Sequence, residues 1–146
     1  MHRLLLSIAL GAALVSTAFA QTAAHPDLSG TWKLNLAKSK LDKHETITSE
    51  TLVITSADSY VEFRYTIDGK DYPHRYITDG KERSIAEGGR QVSPYIITMV
   101  KAQWQKSVLV IEVMHRTLRW TLSSDGRTLT LDPDSNGKLS YVYDKQ

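Results

Sequence analysis

The sequence predicts an all-β domain, an antiparallel up-and-down β-barrel of eight to ten short strands. Apolar and polar residues alternate with period two in five segments, as expected of strands with one buried and one solvated face. Turn dipeptides that tolerate positive φ separate the segments: Asp68-Gly69, Asp79-Gly80, Gly88-Gly89, Asp125-Gly126 and Asn136-Gly137. Closing such a meander into a barrel hides its edge strands. A two-sheet β-sandwich is the alternative.

The elements follow in chain order. The apolar faces of the five segments are Trp32, Leu34 and Leu36; Val61, Phe63, Tyr65 and Ile67; Leu118, Trp120 and Leu122; Leu129 and Leu131; and Leu139, Tyr141 and Tyr143. Further strands are expected at Tyr95–Lys101 and Val108–His115, joined near Gln103–Lys106. A reversal or bulge should follow near His115–Thr117. Residues 36–43 are expected to form at most one short helical turn.

The first twenty residues have the pattern of a secretory signal peptide. Arg3 precedes an apolar stretch, and Ala18-Phe19-Ala20 is a small-x-small cleavage site. The sequence therefore predicts export to the periplasm or the extracellular space. Residues 21–27 are predicted to form a flexible lead-in and residues 28–146 the barrel domain, with no membrane span once the signal is removed.

Composition excludes several functions. Arg3 is the only charged residue of the signal, so the mature chain carries 17 basic and 16 acidic residues. This balance gives no long-range attraction to nucleic acid. The absence of cysteine rules out thiol catalysis, disulfides and zinc–thiolate sites. Without a nucleophile elbow or phosphate-binding loop, the sequence predicts no catalytic residues, no cofactor and no nucleic-acid partner, and we expect a monomer.

Two patterns could in principle bind a metal. His74 and His115 both accompany apolar positions, but no third ligand stands at a helpful spacing. Residues 132–139 match the first eight positions of a calcium loop, with Tyr143 at the twelfth position, where a bidentate Glu is expected. A polar hairpin turn accounts for the same residues. The sequence therefore predicts no metal site.

The two ends of the domain resemble a known superfamily. The Gly-x-Trp start at Gly30-Thr31-Trp32 is similar to that of lipocalins and fatty-acid-binding proteins, the calycins, and Tyr141–Lys145 resembles the last strand of the fatty-acid-binding branch. The runs SGTWKLNLAKSKLD (29–42) and SSDGRTLTL (123–131) resemble exported, mostly uncharacterised lipocalin-like bacterial proteins. The resemblance implies a barrel that holds a small apolar ligand. Tyr141 stands where the fatty-acid-binding branch usually has an arginine, and Tyr143 matches its tyrosine.

Six aromatic residues are the candidate interior set. We expect Trp32 to close one barrel end as a structural residue. The predicted ligand-binding residues are Phe63, Tyr65, Trp120, Tyr141 and Tyr143. Because no lysine or arginine shares their face, the expected ligand is a neutral or weakly polar apolar molecule. The alternatives are a solid barrel that serves as a scaffold for protein interaction or inhibition, and a barrel-fold enzyme acting on a hydrophobic substrate.

Overall fold

The computed structural model describes residues 25–84, 99–133 and 136–146, which form a single ten-stranded antiparallel sheet. The strands are β1 (Gly30–Leu34), β2 (Glu50–Ser56), β3 (Tyr60–Ile67), β4 (Lys70–Ile77), β5 (Asp79–Ser84), β6 (Met99–Gln105), β7 (Val108–Val113), β8 (Arg116–Leu122), β9 (Thr128–Asp132) and β10 (Tyr141–Lys145). No helix of this described part is long and apolar enough to cross a bilayer. The predicted all-β fold is confirmed.

The sheet curls into a nearly closed barrel. Its strand order is β4-β3-β2-β1-β10-β9-β8-β7-β6-β5, so the first and last strands of the chain pair with each other. The two edge strands, β4 and β5, follow one another in sequence, with only Thr78 between them. They leave a lateral gap, which is lined by Arg75, Tyr76, Ile77, Lys81, Arg83, Ser84, Val100 and Ala102.

The inward face of the sheet carries the period-two apolar residues. Fully buried side chains of this face include Trp32, Leu52, Val61, Phe63, Leu109, Ile111, Trp120, Leu129 and Tyr143. The rings of Phe63 and Trp120 lie 4.9 Å apart, centroid to centroid, and those of Trp120 and Tyr143 lie 5.8 Å apart. These rings pack against one another in the middle of the barrel.

One end of the barrel, which we call the packed end, is closed by the segment before β1. Leu28 and Trp32 are fully buried, and the Trp32 Nε1–H donates to the Leu28 carbonyl at 3.0 Å. The Lys145 Nζ lies 5.2 Å from the centroid of the Trp32 ring. Gly30 has a φ of +145°, and a Cβ there would lie 3.0 Å from the Lys145 side chain. Glycine at the start of the Gly-x-Trp motif therefore accommodates a positive φ and leaves room for the end of the Lys145 side chain.

Most of the predicted turns occur where the sequence indicated. Asp68 and Gly69 have φ values of 47° and 81° and form the tight β3–β4 turn. Gly126 and Gly137 also have positive φ. Near residue 36 the Lys38 and Ser39 amides donate to the Asn35 carbonyl, forming one isolated turn.

Other turn predictions need correction or lie outside the described residues. Asp79-Gly80 does not form a hairpin: Gly80 lies within β5, where the register to β6 shifts. The reversal expected at His115–Thr117 is centred one residue earlier, with Met114 at a φ of 54°. The signal peptide, Gly88-Gly89 and positions 95–98 of the predicted strand lie outside the described ranges.

Candidate functional site

A cavity of about 340 Å³ occupies the end of the barrel opposite Trp32, which we call the open end. Five strands contribute to its wall: the start of β2, the end of β3, β4, the end of β9 and the start of β10. The lining residues are Glu50, Tyr65, Ile67, Tyr72, His74, Tyr76, Leu131, Tyr141 and Tyr143. The strand register brings them together, since Glu50 pairs with Ile67 and Tyr141 with Leu131.

Among the described residues, Glu50 is the one charged residue that is buried. Its side chain is only 4% exposed, and its Oε1 accepts a hydrogen bond from the Tyr143 hydroxyl at 2.5 Å. Burial raises the pKa of Glu50 above its usual value, and the nearby carboxylate of Glu45 raises it further, against the lowering effect of the Tyr143 hydrogen bond. The cavity thus contains an acid that is held away from water.

Five tyrosines line the same cavity as this acid. Tyr65 and Tyr72 are cross-strand partners in β3 and β4, and Tyr141 and Tyr143 share the inward face of β10. The Tyr141 hydroxyl donates to Glu45 Oε2 at 3.1 Å at the rim. Burial raises the pKa of Tyr76 to about 12, and burial together with the hydrogen bond to Glu45 raises that of Tyr141 to about 12. These hydroxyls stay protonated at neutral pH and act as hydrogen-bond donors.

His74 faces the cavity from β4. Its ring lies edge-on to Tyr65 at 5.9 Å and beside Tyr76 at 6.3 Å. Its Nδ1 is buried and has no hydrogen-bond partner among the described residues. Burial lowers the pKa of His74, which favours the neutral ring at pH 7. The His74 Nδ1 is therefore an unsatisfied polar atom in the wall of the cavity.

The predicted ligand-binding residues lie at two depths. Tyr65, Tyr141 and Tyr143 line the cavity. Phe63 and Trp120 lie deeper, fully buried in the packed aromatic core beneath it. Trp32, predicted as structural, lies at the packed end and outside the cavity.

Sequence reasoning overlooked several lining residues, although the signal was present. In the segment ETLVITS, Glu50, Leu52 and Ile54 alternate with Thr51, Val53 and Thr55, which would have placed Glu50 on the inward face. In the same way, the inward face of β4 carries Tyr72, His74 and Tyr76 at period two.

The two metal-binding patterns are not supported by geometry in the described part of the chain. His74 faces the cavity, whereas His115 is exposed in the β7–β8 turn. No group of three His, Asp or Glu residues there is arranged to hold a metal. Within 132–139, Asp134 and Ser135 lie outside the described residues, and Asn136 Oδ1 accepts from the Lys138 amide at 2.9 Å, as in a turn.

A second depression lies on the outer wall, beside β9 and β10. It is larger, about 600 Å³, but polar, with Lys38, Asp125, Arg127 and Asp144 among its lining residues. The Lys38 Nζ already pairs with Asp144 Oδ1 at 2.9 Å. Small-molecule sites are usually lined mainly by apolar and aromatic side chains, so the tyrosine-lined cavity is the better candidate despite its smaller volume.

The chain matches no protein-family model. A search of curated proteins found no significant match either.

Proposed function

We propose that this protein is an exported, lipocalin-like carrier that binds one small, largely apolar molecule in the cavity at the open end of the barrel. The observation that carries the proposal is the cavity itself. Its walls are mainly aromatic and aliphatic, and a few polar atoms converge on it, which is the usual composition of a small-molecule site. Its floor is the packed core around Phe63 and Trp120.

The lining disfavours fatty acids. None of the described lining residues is lysine or arginine, and Glu50 places a carboxylate inside the cavity. A ligand carboxylate would lose its hydration without gaining a cationic partner, and Glu50 would repel it. Tyr141 instead offers a hydroxyl group at the rim. A ligand without negative charge fits this environment.

A neutral fluorescent probe tests the binding function. N-phenyl-1-naphthylamine titrated into the protein should give saturable, one-to-one fluorescence enhancement. Leu131→Trp should fill part of the cavity and weaken uptake at least tenfold, because Leu131 lines its wall. Val53→Trp is the matched control, because Val53 faces outward on β2 and is already 42% exposed. No saturable uptake up to about 50 µM, or equal uptake by both variants, would refute a cavity site.

Export is proposed from residues 1–20 and is tested separately. Intact mass measurement of protein recovered from the periplasm or medium of a bacterial host should give a chain that begins at Gln21. Protein found only inside the cell, with residues 1–20 attached, would contradict this part of the proposal.

A further inference from the structure

We infer that the ligand of this cavity is an organic cation, a molecule whose amine or quaternary ammonium group lies between Glu50 and the tyrosine rings. The inference rests on the proposed carrier function and specifies the chemical class of the ligand. Two independent features support it: a buried carboxylate without a cationic partner, and an aromatic wall around that carboxylate.

The first feature is the unmatched charge of Glu50. The carboxylate is almost fully buried, and the hydrogen bond seen on it in the described structure comes from the neutral Tyr143 hydroxyl. No ion pair between described residues involves Glu50. A buried carboxylate is unfavourable unless it is paired or protonated. A cationic ligand would supply the missing counter-charge at the point where the barrel provides none.

The second feature is the aromatic wall. Tyr65, Tyr72, Tyr76, Tyr141 and Tyr143 all line the same cavity as Glu50. The faces of aromatic rings attract cations, and quaternary ammonium groups are commonly bound in cages of such rings. Burial raises the pKa of Tyr65 and Tyr76, so these rings remain neutral phenols at pH 7.

The other titratable groups that face Glu50 do not oppose a cation at neutral pH. Glu45, in the loop between β1 and β2, accepts the Tyr141 hydroxyl and adds a second carboxylate at the rim. His74 on β4 is held toward its neutral form by burial. None of the described residues that line the cavity is lysine or arginine, and Glu50 and Glu45 are acidic, which favours entry of a cation over that of an anion.

The test compares two ligands of the same shape and different charge on the unchanged full-length chain. Phenyltrimethylammonium and tert-butylbenzene are nearly isosteric, and 3-phenylpropionate adds an anionic arm. Each is used to displace N-phenyl-1-naphthylamine at pH 7. We expect phenyltrimethylammonium to bind at least tenfold more tightly than tert-butylbenzene, and 3-phenylpropionate to bind most weakly.

A charge-neutralising variant then locates the effect. Glu50→Gln should abolish the preference for the cation, so that the variant binds phenyltrimethylammonium no more tightly than tert-butylbenzene. Glu112→Gln makes the same chemical change at an outward position of β7, where Glu112 lies 3.5 Å from Lys101, and should leave both affinities unchanged. If Glu50→Gln does not fold, the comparison of the isosteric pair on the unchanged protein still decides the inference.

The outcomes separate the inference from the function on which it rests. Equal binding of the isosteric pair, a preference for the neutral member, or a cation preference that survives in Glu50→Gln would overturn the cationic ligand and leave a carrier for neutral molecules. Failure of the probe itself to bind would overturn the carrier function. Tight binding of 3-phenylpropionate would show that a cationic anchor, rather than Glu50, dominates the site.

Discussion

The carboxyl group of Glu50 and the hydroxyl of Tyr143 form the shortest polar contact of the cavity, at 2.5 Å. This environment is unfavourable for an anion. The free energy lost when a carboxylate is removed from water exceeds the free energy gained from one hydrogen bond. A glutamine in place of Glu50 could accept the same hydrogen bond without carrying a charge. The position thus has a feature that packing alone does not require, which is why ligand binding explains it better than a structural role.

The burial of Glu50 predicts a specific pH dependence of stability. The folded-state pKa lies above the usual value of 4.5, so the stability contributed by this group is complete below that value and is lost as the pH rises through the folded-state pKa. Glu50→Gln, which cannot ionise, should therefore become more stable relative to the original chain as the pH is raised from 4 to 7. Thermal unfolding midpoints of both chains across this range measure the difference.

Comparison of the original chain with Glu50→Gln removes the contributions of the other acidic residues to the pH dependence of stability. Asp79, Asp125 and Asp144 have pKa values lowered first of all by side-chain hydrogen bonds, and their effect on stability has the opposite sign. They are present in both proteins, so only the difference in midpoint reports on Glu50. A difference for Glu50→Gln that is flat with pH, or that shrinks with rising pH, would show that Glu50 is not held in a charge-disfavouring site.

Trp32 should be a stability residue with no part in ligand binding. Its ring is fully buried at the packed end, and its Nε1–H is satisfied by the Leu28 carbonyl. We expect Trp32→Ala to lower the free energy of unfolding by about 3–5 kcal/mol, measured by urea denaturation, because it leaves a large cavity. Val53→Ala on the outer face should cost far less. Full stability with loss of probe binding in Trp32→Ala would reverse the assignment.

At the scale of strands, period-two patterning was sufficient for much of the sheet. The segments around Phe63, Trp120 and Leu129 became β3, β8 and β9, because one buried face leaves a strand little freedom of register. Asp79-Gly80 was misread for a physical reason. A glycine with positive φ occurs in β-bulges as well as in hairpin turns. Which of the two forms depends here on the pairing of β5 with β6, and β6 is distant in sequence.

The gap between β4 and β5 predicts uneven amide protection. Both are edge strands of the sheet, so each has one side without a strand partner, whereas β1 and β10 are paired on both sides. Hydrogen exchange followed by mass spectrometry or NMR should show faster exchange for β4 and β5 than for β1, β9 and β10. Equal protection of β4 and β10 would indicate that the barrel closes fully in solution.

At the scale of the whole molecule, sequence reasoning identified the inward face but not the depth at which each side chain lies. Phe63 and Tyr65 are on the same face of β3, yet the first is core and the second lines the cavity. Alternation defines a face, whereas position along the barrel axis depends on strand pairing across the whole sheet. For the same reason the contact between Glu50 and Tyr143, 93 residues apart, was invisible in the sequence.

The segment that precedes β1 should contribute to the stability of the whole barrel, and two truncations test this. A chain that begins at His25 retains every described contact of the packed end, including the stacking of His25 on Trp104 at 4.2 Å. A chain that begins at Ser29 loses that stacking, the fully buried Leu28 and the acceptor of the Trp32 Nε1–H. Burial of one leucine and one hydrogen bond together correspond to about 2–4 kcal/mol.

We therefore expect the chain that begins at His25 to unfold at the same urea concentration as the chain that begins at Gln21. The chain that begins at Ser29 should unfold at a clearly lower concentration with a similar dependence on urea, because the same barrel is weakened and not replaced. Its affinity for N-phenyl-1-naphthylamine, measured where it is still folded, should be unchanged, since the cavity residues lie at the opposite end from Trp32. If removal of residues 21–24 alone caused the same loss of stability, the barrel would depend on contacts made before His25. If both truncations left stability intact, the buried Leu28 would have no structural role, and the packed end would be held by the strands alone.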